Sequence, residues 1–251
     1  MDSRITLLEE FYRGLPKDRA KVETQEHGFA FLDRLLADGA TLEYGELTLA
    51  GLLHKYKLAG LPAARFQDLL CAHVAKTCNL CLYFGDRANE LFCFNLDNNH
   101  KTGNTEVRPE MELAVRVLSE RLRDLGCAPL VVASGRGFHL WGRLEAPVEN
   151  ARLYGFMLRC AVATAAALHG QGHDHHRIKF NFYPDPRSCA IVSLRLFGTE
   201  HAKNKVFSRV LTPHGLLDEA ASWAHFADTV RAGPIAAATF DAACETLAAS
   251  D

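Results

Sequence analysis

Two polar side chains share one face at the end of a predicted strand. The apolar run 91–96 predicts the strand, and Asn95 and Asp97 stand at positions i and i+2 at its end, on either side of Leu96. Because alternate strand residues point to the same face, Asn95 and Asp97 project together while Leu96 points into the core. Two carboxylates in this arrangement would hold two divalent metal ions for transfer of a nucleotidyl group, but the first position here is an amide. A polar strand end is also typical of an ordinary turn.

A glycine-rich turn provides a second candidate group. Ser134-Gly135-Arg136-Gly137-Phe138-His139 joins two apolar runs that predict strands, 130–133 and 138–144. Glycines at such a turn let the backbone approach a ligand closely, and the N–H groups of the turn can cradle a phosphate. The side chains of Ser134, Arg136 and His139 add hydrogen-bond donors. Glycine in a hairpin turn is common by itself, whereas the full string is much more specific.

A third group combines an acid with a basic segment. Asp185 lies between two prolines, and Arg195, His201 and Lys203 follow it. Residues 177–209 contain seven Lys and Arg against two Asp and Glu, an excess that favours phosphates although the whole chain has a net charge of only −2. Asp185 could complete a metal site, and the three later residues suit a triphosphate. An ordinary turn and a solvated, salt-bridged face are the alternatives.

Two other clusters of metal-ligand residue types favour simpler interpretations. Cys78 and Cys81 form a CxxC motif with Cys71 and His73 nearby, but the predicted strand 79–84 would splay the two thiols apart, so zinc is the minor alternative. The segment His173-Asp174-His175-His176 could serve a metallohydrolase. Glycines at 170 and 172 predict a loop there, rather than a helix that would aim the ligands at one ion.

The elements that must position these groups predict an α+β fold. Short apolar runs between 79 and 197 predict strands, and amphipathic helices are predicted at 109–125 and 148–169. We expect a helical N-terminal flank over 1–75, a core over 76–213 and a helical segment over 214–251. The eight cysteines sit mostly in apolar runs, and we find neither a signal peptide nor a membrane-spanning stretch, which together favour a cytoplasmic protein with reduced thiols.

In this order, the three groups resemble the motifs of the archaeo-eukaryotic primase superfamily, the primase-polymerases. The family pattern is an acidic pair around a hydrophobic residue, then Ser-Gly-x-Gly-x-His, then an Asp followed by Arg-Leu-x-Gly-Ser/Thr-x-His-x-Lys. Asn95-Leu96-Asp97 matches the first motif with one departure, and residues 134–139 match the second throughout. Asp185 with residues 195–203 matches the third. The resemblance covers roughly residues 79–213.

The resemblance implies roles for each matched residue. Asp97 and Asp185 would ligate Mg²⁺ or Mn²⁺, with Asn95 in the place of the missing acid. Ser134, Gly135, Arg136, Gly137 and His139 would bind the phosphates of an incoming nucleotide, joined by Arg195, His201 and Lys203. The implied fold is two packed β-sheets, one of them like an RNA-recognition motif, between helical flanks. The implied partners are nucleoside triphosphates, a single-stranded DNA template and a helicase on another chain, without a membrane.

Asn95 divides the functional hypotheses into two. An amide oxygen can coordinate Mg²⁺ but brings no negative charge, so metal affinity and transition-state stabilisation should both fall. The first hypothesis is a primase or polymerase that is impaired at this position or uses another acid; Asp174 is a spare carboxylate whose spacing fits less well than that of Asp185. The second is a non-catalytic module that binds nucleotide or nucleic acid within a replication or defence complex.

Overall fold

A computed structural model describes residues 2–24, 29–48, 53–98, 104–173, 177–189, 191–201 and 205–249. These residues form a mixed α+β fold with two antiparallel sheets, which confirms the predicted fold class. In chain order the elements are α1 (Ser3–Phe11), β1 (Arg19–Thr24), α2 (Phe29–Ala37), β2 (Thr41–Thr48), β3 (Leu53–Ala59), α3 (Ala63–Val74), β4 (Asn79–Tyr83), β5 (Ala88–Asn98), α4 (Asn104–Asp124), β6 (Leu130–Ala133), β7 (Phe138–Glu149), α5 (Asn150–Gly170), β8 (Ile178–Tyr183), β9 (Ser193–Arg195), β10 (Arg209–Thr212), β11 (Gly215–Leu216), α6 (Glu219–Ala232) and α7 (Ala237–Ala248).

The chain divides into two compact units, each with one sheet. The first unit comprises residues 1–85 and 189–208, and its sheet has the strand order β2-β3-β1-β4-β9. The second unit comprises residues 86–188 and 209–251, and its sheet has the order β11-β10-β6-β7-β5-β8. Every paired strand in both sheets is antiparallel.

The N-terminal 75 residues are not mainly helical, contrary to the sequence expectation. The helices α1, α2 and α3 are present, but β1, β2 and β3 lie between them. Along β1 the side chains alternate between half-buried and buried, but the buried positions are Ala20, Val22 and Thr24, so the apolar alternation is weak. The pairing of β1 with β3 and β4 supplies the rest of its stabilisation, and such distant pairing is invisible in a local window.

In the second unit, one face of the sheet is apolar and packs against helices. Phe92, Phe94 and Leu96 of β5, together with Phe138 and Leu140 of β7, belong to one buried cluster. The cluster also contains side chains from α4, α5 and α7. Because directly opposite residues share a face, the intervening residues of the same strands point to the other face.

Helix α5 is long and apolar enough to meet the composition criteria for a membrane span, although the sequence pattern predicts no such stretch. Its Leu153, Phe156, Met157 and Cys160 lie in the buried cluster of the second unit. A core helix of a soluble protein satisfies the same criteria, and a single such helix is therefore weak evidence for a membrane.

Candidate functional site

A row of polar side chains crosses three strands of the second unit on the sheet face opposite its apolar core. On β5, Asn95 is directly opposite His139 of β7 on one side and Asn181 of β8 on the other. Cβ atoms in such pairs lie about 5 Å apart, so these three side chains are immediate neighbours. His139 is 7% exposed, whereas Asn95 and Asn181 are half-buried. The row therefore opens toward solvent around the two amides.

Asp97 stands two residues farther along β5 on the same face. It pairs in register with Lys179 of β8 and is half-buried. Its Oδ1 lies 3.1 Å from the point that a Cβ on Gly137 would occupy, so the carboxylate sits beside the glycine-rich turn. Within the described ranges no hydrogen bond or ion pair engages this carboxylate. Asp97 is therefore available to a ligand at the open end of the row.

The structure explains both glycines of the turn. Gly135 has φ of +97°, a conformation that residues with a side chain rarely adopt. A Cβ on Gly137 would lie 2.0 Å from the carbonyl oxygen of Leu96, so only glycine allows the turn to approach β5 this closely. The N–H of Ser134 donates to the carbonyl of Gly137 at 2.9 Å, which closes the turn.

The side chains of this turn differ in exposure. Ser134 is 8% exposed, and His139 packs the edge of its ring against Trp141 at 6.2 Å between centroids. Arg136 is exposed at the tip of the turn. An exposed guanidinium above a buried hydroxyl and imidazole is suited to an anionic ligand that enters from solvent.

The structure does not bring Asp185 to Asp97. Tyr183 pairs with Cys93, four residues before Asp97 on β5, and Asp185 follows two residues after the end of β8. At about 3.3 Å per strand residue, Tyr183 is already about 13 Å from Asp97 along the strand. Separation along the chain does not reveal the register between β5 and β8, on which the distance of Asp185 from Asp97 depends.

Asp185 instead forms an ion pair with its neighbour Arg187. Its Oδ1 accepts from the backbone N–H and the Nε of Arg187 at 2.9 and 3.0 Å, and its Oδ2 accepts from Nη2 at 2.8 Å. The hydrogen bonds from the Arg187 side chain have the largest effect and hold the pKa of Asp185 below its usual value; burial acts in the opposite direction, and the backbone N–H of Arg187 lowers the pKa by a smaller amount. Arg187 also donates to the Tyr154 hydroxyl on α5 at 3.1 Å, on the helical side of the sheet.

Asn181 is the site residue that the sequence reasoning missed. A local signal existed, because Lys179 and Asn181 alternate with Ile178, Phe180 and Phe182, as expected when one face of a strand is polar. Only the strand register shows that Asn181 faces Asn95. A carboxylate at either position would have suggested a metal ligand in the sequence, whereas two amides give no such signal.

The described residues of this face include few of the ligands that a two-metal centre needs. Such a centre needs several carboxylates, and among the described residues this face provides one, Asp97, with Asn95, Asn181 and His139 as neighbours and Lys179 as a cation in register with it. Among the described residues, no group of three His, Cys, Asp or Glu side chains could hold a metal ion. The donor set fits one weakly held cation at most.

The remaining predicted phosphate ligands belong to the first unit or lie outside the described residues. Arg195 of β9 pairs with Cys81, which pairs with Lys21 of β1, so both cations lie on one sheet face. Lys21 forms an ion pair with Glu23 at 2.9 Å, and the positive charge of Arg195 also helps to lower the pKa of Glu23 against the larger opposing effect of burial. The backbone N–H of His201 donates to Val206 within a tight loop, whereas Lys203 lies outside the described residues.

The described residues of the cluster around the CxxC motif are not arranged as a metal site. The ring of His73 is fully buried, with Nδ1 accepting from the backbone N–H of Leu80 at 3.0 Å and Nε2 donating to the carbonyl of Phe197 at 2.9 Å. Both ring nitrogens are therefore used, while Cys71 is exposed and Cys81 is buried. In the other cluster His173 is exposed, and residues 174–176, including the spare carboxylate Asp174, lie outside the described residues.

Comparison with known proteins gives remote structural similarities. No protein-family model and no curated protein sequence matches the chain. The polymerase domain of Mycobacterium tuberculosis ligase D, solved in complex with DNA, is 13% identical with a TM-score of 0.49, over 90% of this chain and 87% of that chain. The AEP domain of the cyanophage S-2L primase-polymerase is 14% identical with a TM-score of 0.39, over 90% of this chain and 97% of that chain.

Proposed function

We propose that this protein binds a nucleoside triphosphate and single-stranded DNA at a site of the primase-polymerase type, without the carboxylates for rapid two-metal nucleotidyl transfer. The ligand-binding part of the motif pattern is intact. The glycine-rich turn carries Ser134, Arg136 and His139, and Asp97 stands beside it. This combination supports recognition of a phosphate and of a cation that accompanies it.

One observation supports binding rather than catalysis. Asn95 and Asn181 are directly opposite each other, and both are amides one pairing step along the strands from Asp97 and Lys179 on the same face. Two divalent ions around a triphosphate need negative ligands to offset their charge, and one carboxylate leaves most of that charge uncompensated. The sequence alone gave Asn95 as a single departure; the second amide strengthens the hypothesis of a non-catalytic module.

The direct test measures binding of ATP and dATP, each with Mg²⁺ or Mn²⁺, and of a labelled single-stranded oligonucleotide. We expect Arg136→Gln to weaken triphosphate binding about tenfold, because it removes one charge-assisted contact. Arg87→Gln is the matched control, since Arg87 is an exposed arginine of the same unit at the opposite end of β5. If neither triphosphate binds to the unaltered protein, the proposal is wrong.

Template-directed primer synthesis or extension is the second candidate function. The order of the three motifs and the position of Asp97 beside the glycine-rich turn favour it. Its test is incubation of the unaltered protein with single-stranded DNA, labelled nucleoside triphosphates and Mn²⁺ or Mg²⁺. Extended products that disappear in the Asp97→Ala variant would establish the enzyme and displace the binding module. A helicase on another chain stays a prediction from the resemblance.

A further inference from the structure

A separate pocket lies between α4 and the hairpin formed by β10 and β11. It encloses about 320 Å³, within the range of small-molecule sites. Its apolar lining comes from Val115 of α4, Val131 of β6, and Leu211 and Leu216 of the hairpin. All of these residues belong to the second unit, and none belongs to the row around Asn95. The pocket is therefore distinct from the candidate site described above.

One face of α4 brings cationic and polar groups to this pocket. Arg116, Ser119 and Arg123 line it at spacings of three and four residues, which place them on one side of the helix. Both arginines are exposed, and within the described ranges neither forms an ion pair or a hydrogen bond. Two uncompensated guanidinium groups beside one pocket create a positive potential at its mouth.

The hydroxyl of Ser119 is the second observation that points to a ligand. Ser119 is 3% exposed, and its Oγ is buried with no hydrogen-bond partner. A buried hydroxyl that lacks a partner is unfavourable, so such groups are usually satisfied by protein, water or ligand. Because Ser119 lies between the two arginines and lines the pocket, a ligand oxygen there would satisfy it.

The single acid of the lining does not cancel this positive charge. Glu112 accepts a hydrogen bond from Nε of Arg108 at 2.9 Å, which compensates its charge within the helix. On the hairpin side, Thr212 Oγ1 accepts from the backbone N–H of His214 at 3.2 Å and donates to the Gly215 carbonyl at 3.1 Å. These bonds hold the hairpin tip, with the exposed His214 ring as a further donor at the rim.

We propose that this pocket binds a small phosphate ester, with its phosphate held by Arg116, Arg123 and Ser119 and its organic part against the apolar lining. Guanidinium groups match the oxygen geometry of a phosphate, and a hydroxyl completes the donor set. The apolar lining favours an ester over inorganic phosphate, because part of the ligand then leaves water on binding. The site does not depend on the function proposed for the residues around Asn95.

The test is calorimetric titration with adenosine monophosphate, inorganic phosphate and adenosine, combined with NMR of the backbone amides. We expect adenosine monophosphate to bind more tightly than the other two probes and to shift amides of α4 and of residues 211–216. Arg116→Gln and Arg123→Gln should each weaken that binding by about tenfold or more, while Arg87→Gln leaves it unchanged. Ser119→Ala should weaken it several-fold without lowering the thermal unfolding midpoint.

The location of the amide shifts separates this site from the one around Asn95. Shifts confined to residues 134–139, or binding that both arginine variants leave unchanged, would overturn the proposal even if the nucleotide binds. If none of the three probes binds, the proposal is overturned as well. Loss of single-stranded DNA binding in Arg116→Gln, with no adenosine monophosphate binding in the unaltered protein, would assign these arginines to nucleic acid instead.

Discussion

Asn95 of β5 lies directly opposite Asn181 of β8, with His139 on the other flank of Asn95 and Asp97 two residues along the same face. Directly opposite side chains in an antiparallel pair are close enough to share one ligand. Two amides at these places allow coordination but supply no negative charge. These two amides are therefore the basis for proposing that this face binds a ligand without rapid nucleotidyl transfer.

Replacing both amides by acids should create a metal site. The double variant Asn95→Asp/Asn181→Asp would give this face three carboxylates, counting Asp97, so we expect Mn²⁺ to raise its thermal unfolding midpoint by several degrees through linked binding. Without metal, repulsion between like charges should lower its stability by roughly 1 kcal/mol. If the fold still supports the chemistry, primer extension should appear in the same variant.

The control for that variant is Asn98→Asp, the same chemical change on the opposite face of β5, where Asn98 pairs with Ile178. It should show no response to Mn²⁺. A double variant that unfolds at the same temperature with and without Mn²⁺ would contradict the placement of the three side chains.

Asp185 should be dispensable for nucleotide and metal binding, although the motif comparison gives it a metal. Asp185→Asn removes an ion pair with Arg187, whose side chain is 76% exposed, so the cost in stability should be about 1 kcal/mol or less. Asp97→Asn should instead weaken binding of ATP with Mn²⁺ about tenfold, because it removes the only carboxylate of the row. Titration of both variants side by side distinguishes the two positions, and equal losses would argue against the register-based assignment.

The local sequence pattern predicted the strands and the turn around the site better than it predicted which strands pair with each other. The alternation around Asn95 and the glycines at 135 and 137 predicted the strands and the turn correctly, because strand alternation and turn conformation depend on residues that are close in sequence. Asn181 was missed, and the distance of Asp185 from Asp97 could not be predicted, because both depend on the register between β5 and β8, which lie about 80 residues apart. In the first unit β1, β2 and β3 were missed, whereas β4 lies within the predicted strand 79–84.

Gly137→Ala should be strongly destabilising, although it adds only one methyl group. The added methyl carbon would lie 2.0 Å from the carbonyl oxygen of Leu96, so the turn or β5 must shift. We expect a loss of about 2 kcal/mol or more in urea unfolding, together with weaker triphosphate binding because Asp97 moves with β5. Gly155→Ala in α5 is the control, since nothing lies within 4 Å of the new carbon, and it should stabilise the protein by about 0.5–1 kcal/mol. Equal stability of the two variants would contradict the close approach.

Acid should destabilise the first unit through His73. Burial lowers the pKa of His73 to about 4, although its hydrogen bond to Phe197 acts in the opposite direction. In the unfolded chain the same imidazole takes up a proton near pH 6.5, so between these two values the unfolded state binds more protons than the folded state. Stability should therefore be full above about pH 6.5 and fall by up to about 3 kcal/mol as the pH decreases to about 4.

Urea unfolding between about pH 7 and about pH 4.5 measures this dependence. His73→Gln should be less stable at neutral pH, because it loses at least one of the two backbone hydrogen bonds of the ring, and its stability should vary less with pH over this interval. His225→Gln, at an exposed position on α6, should keep the dependence of the unaltered protein. If the His73 variant loses stability toward acid as steeply as the unaltered protein, His73 is not the group responsible.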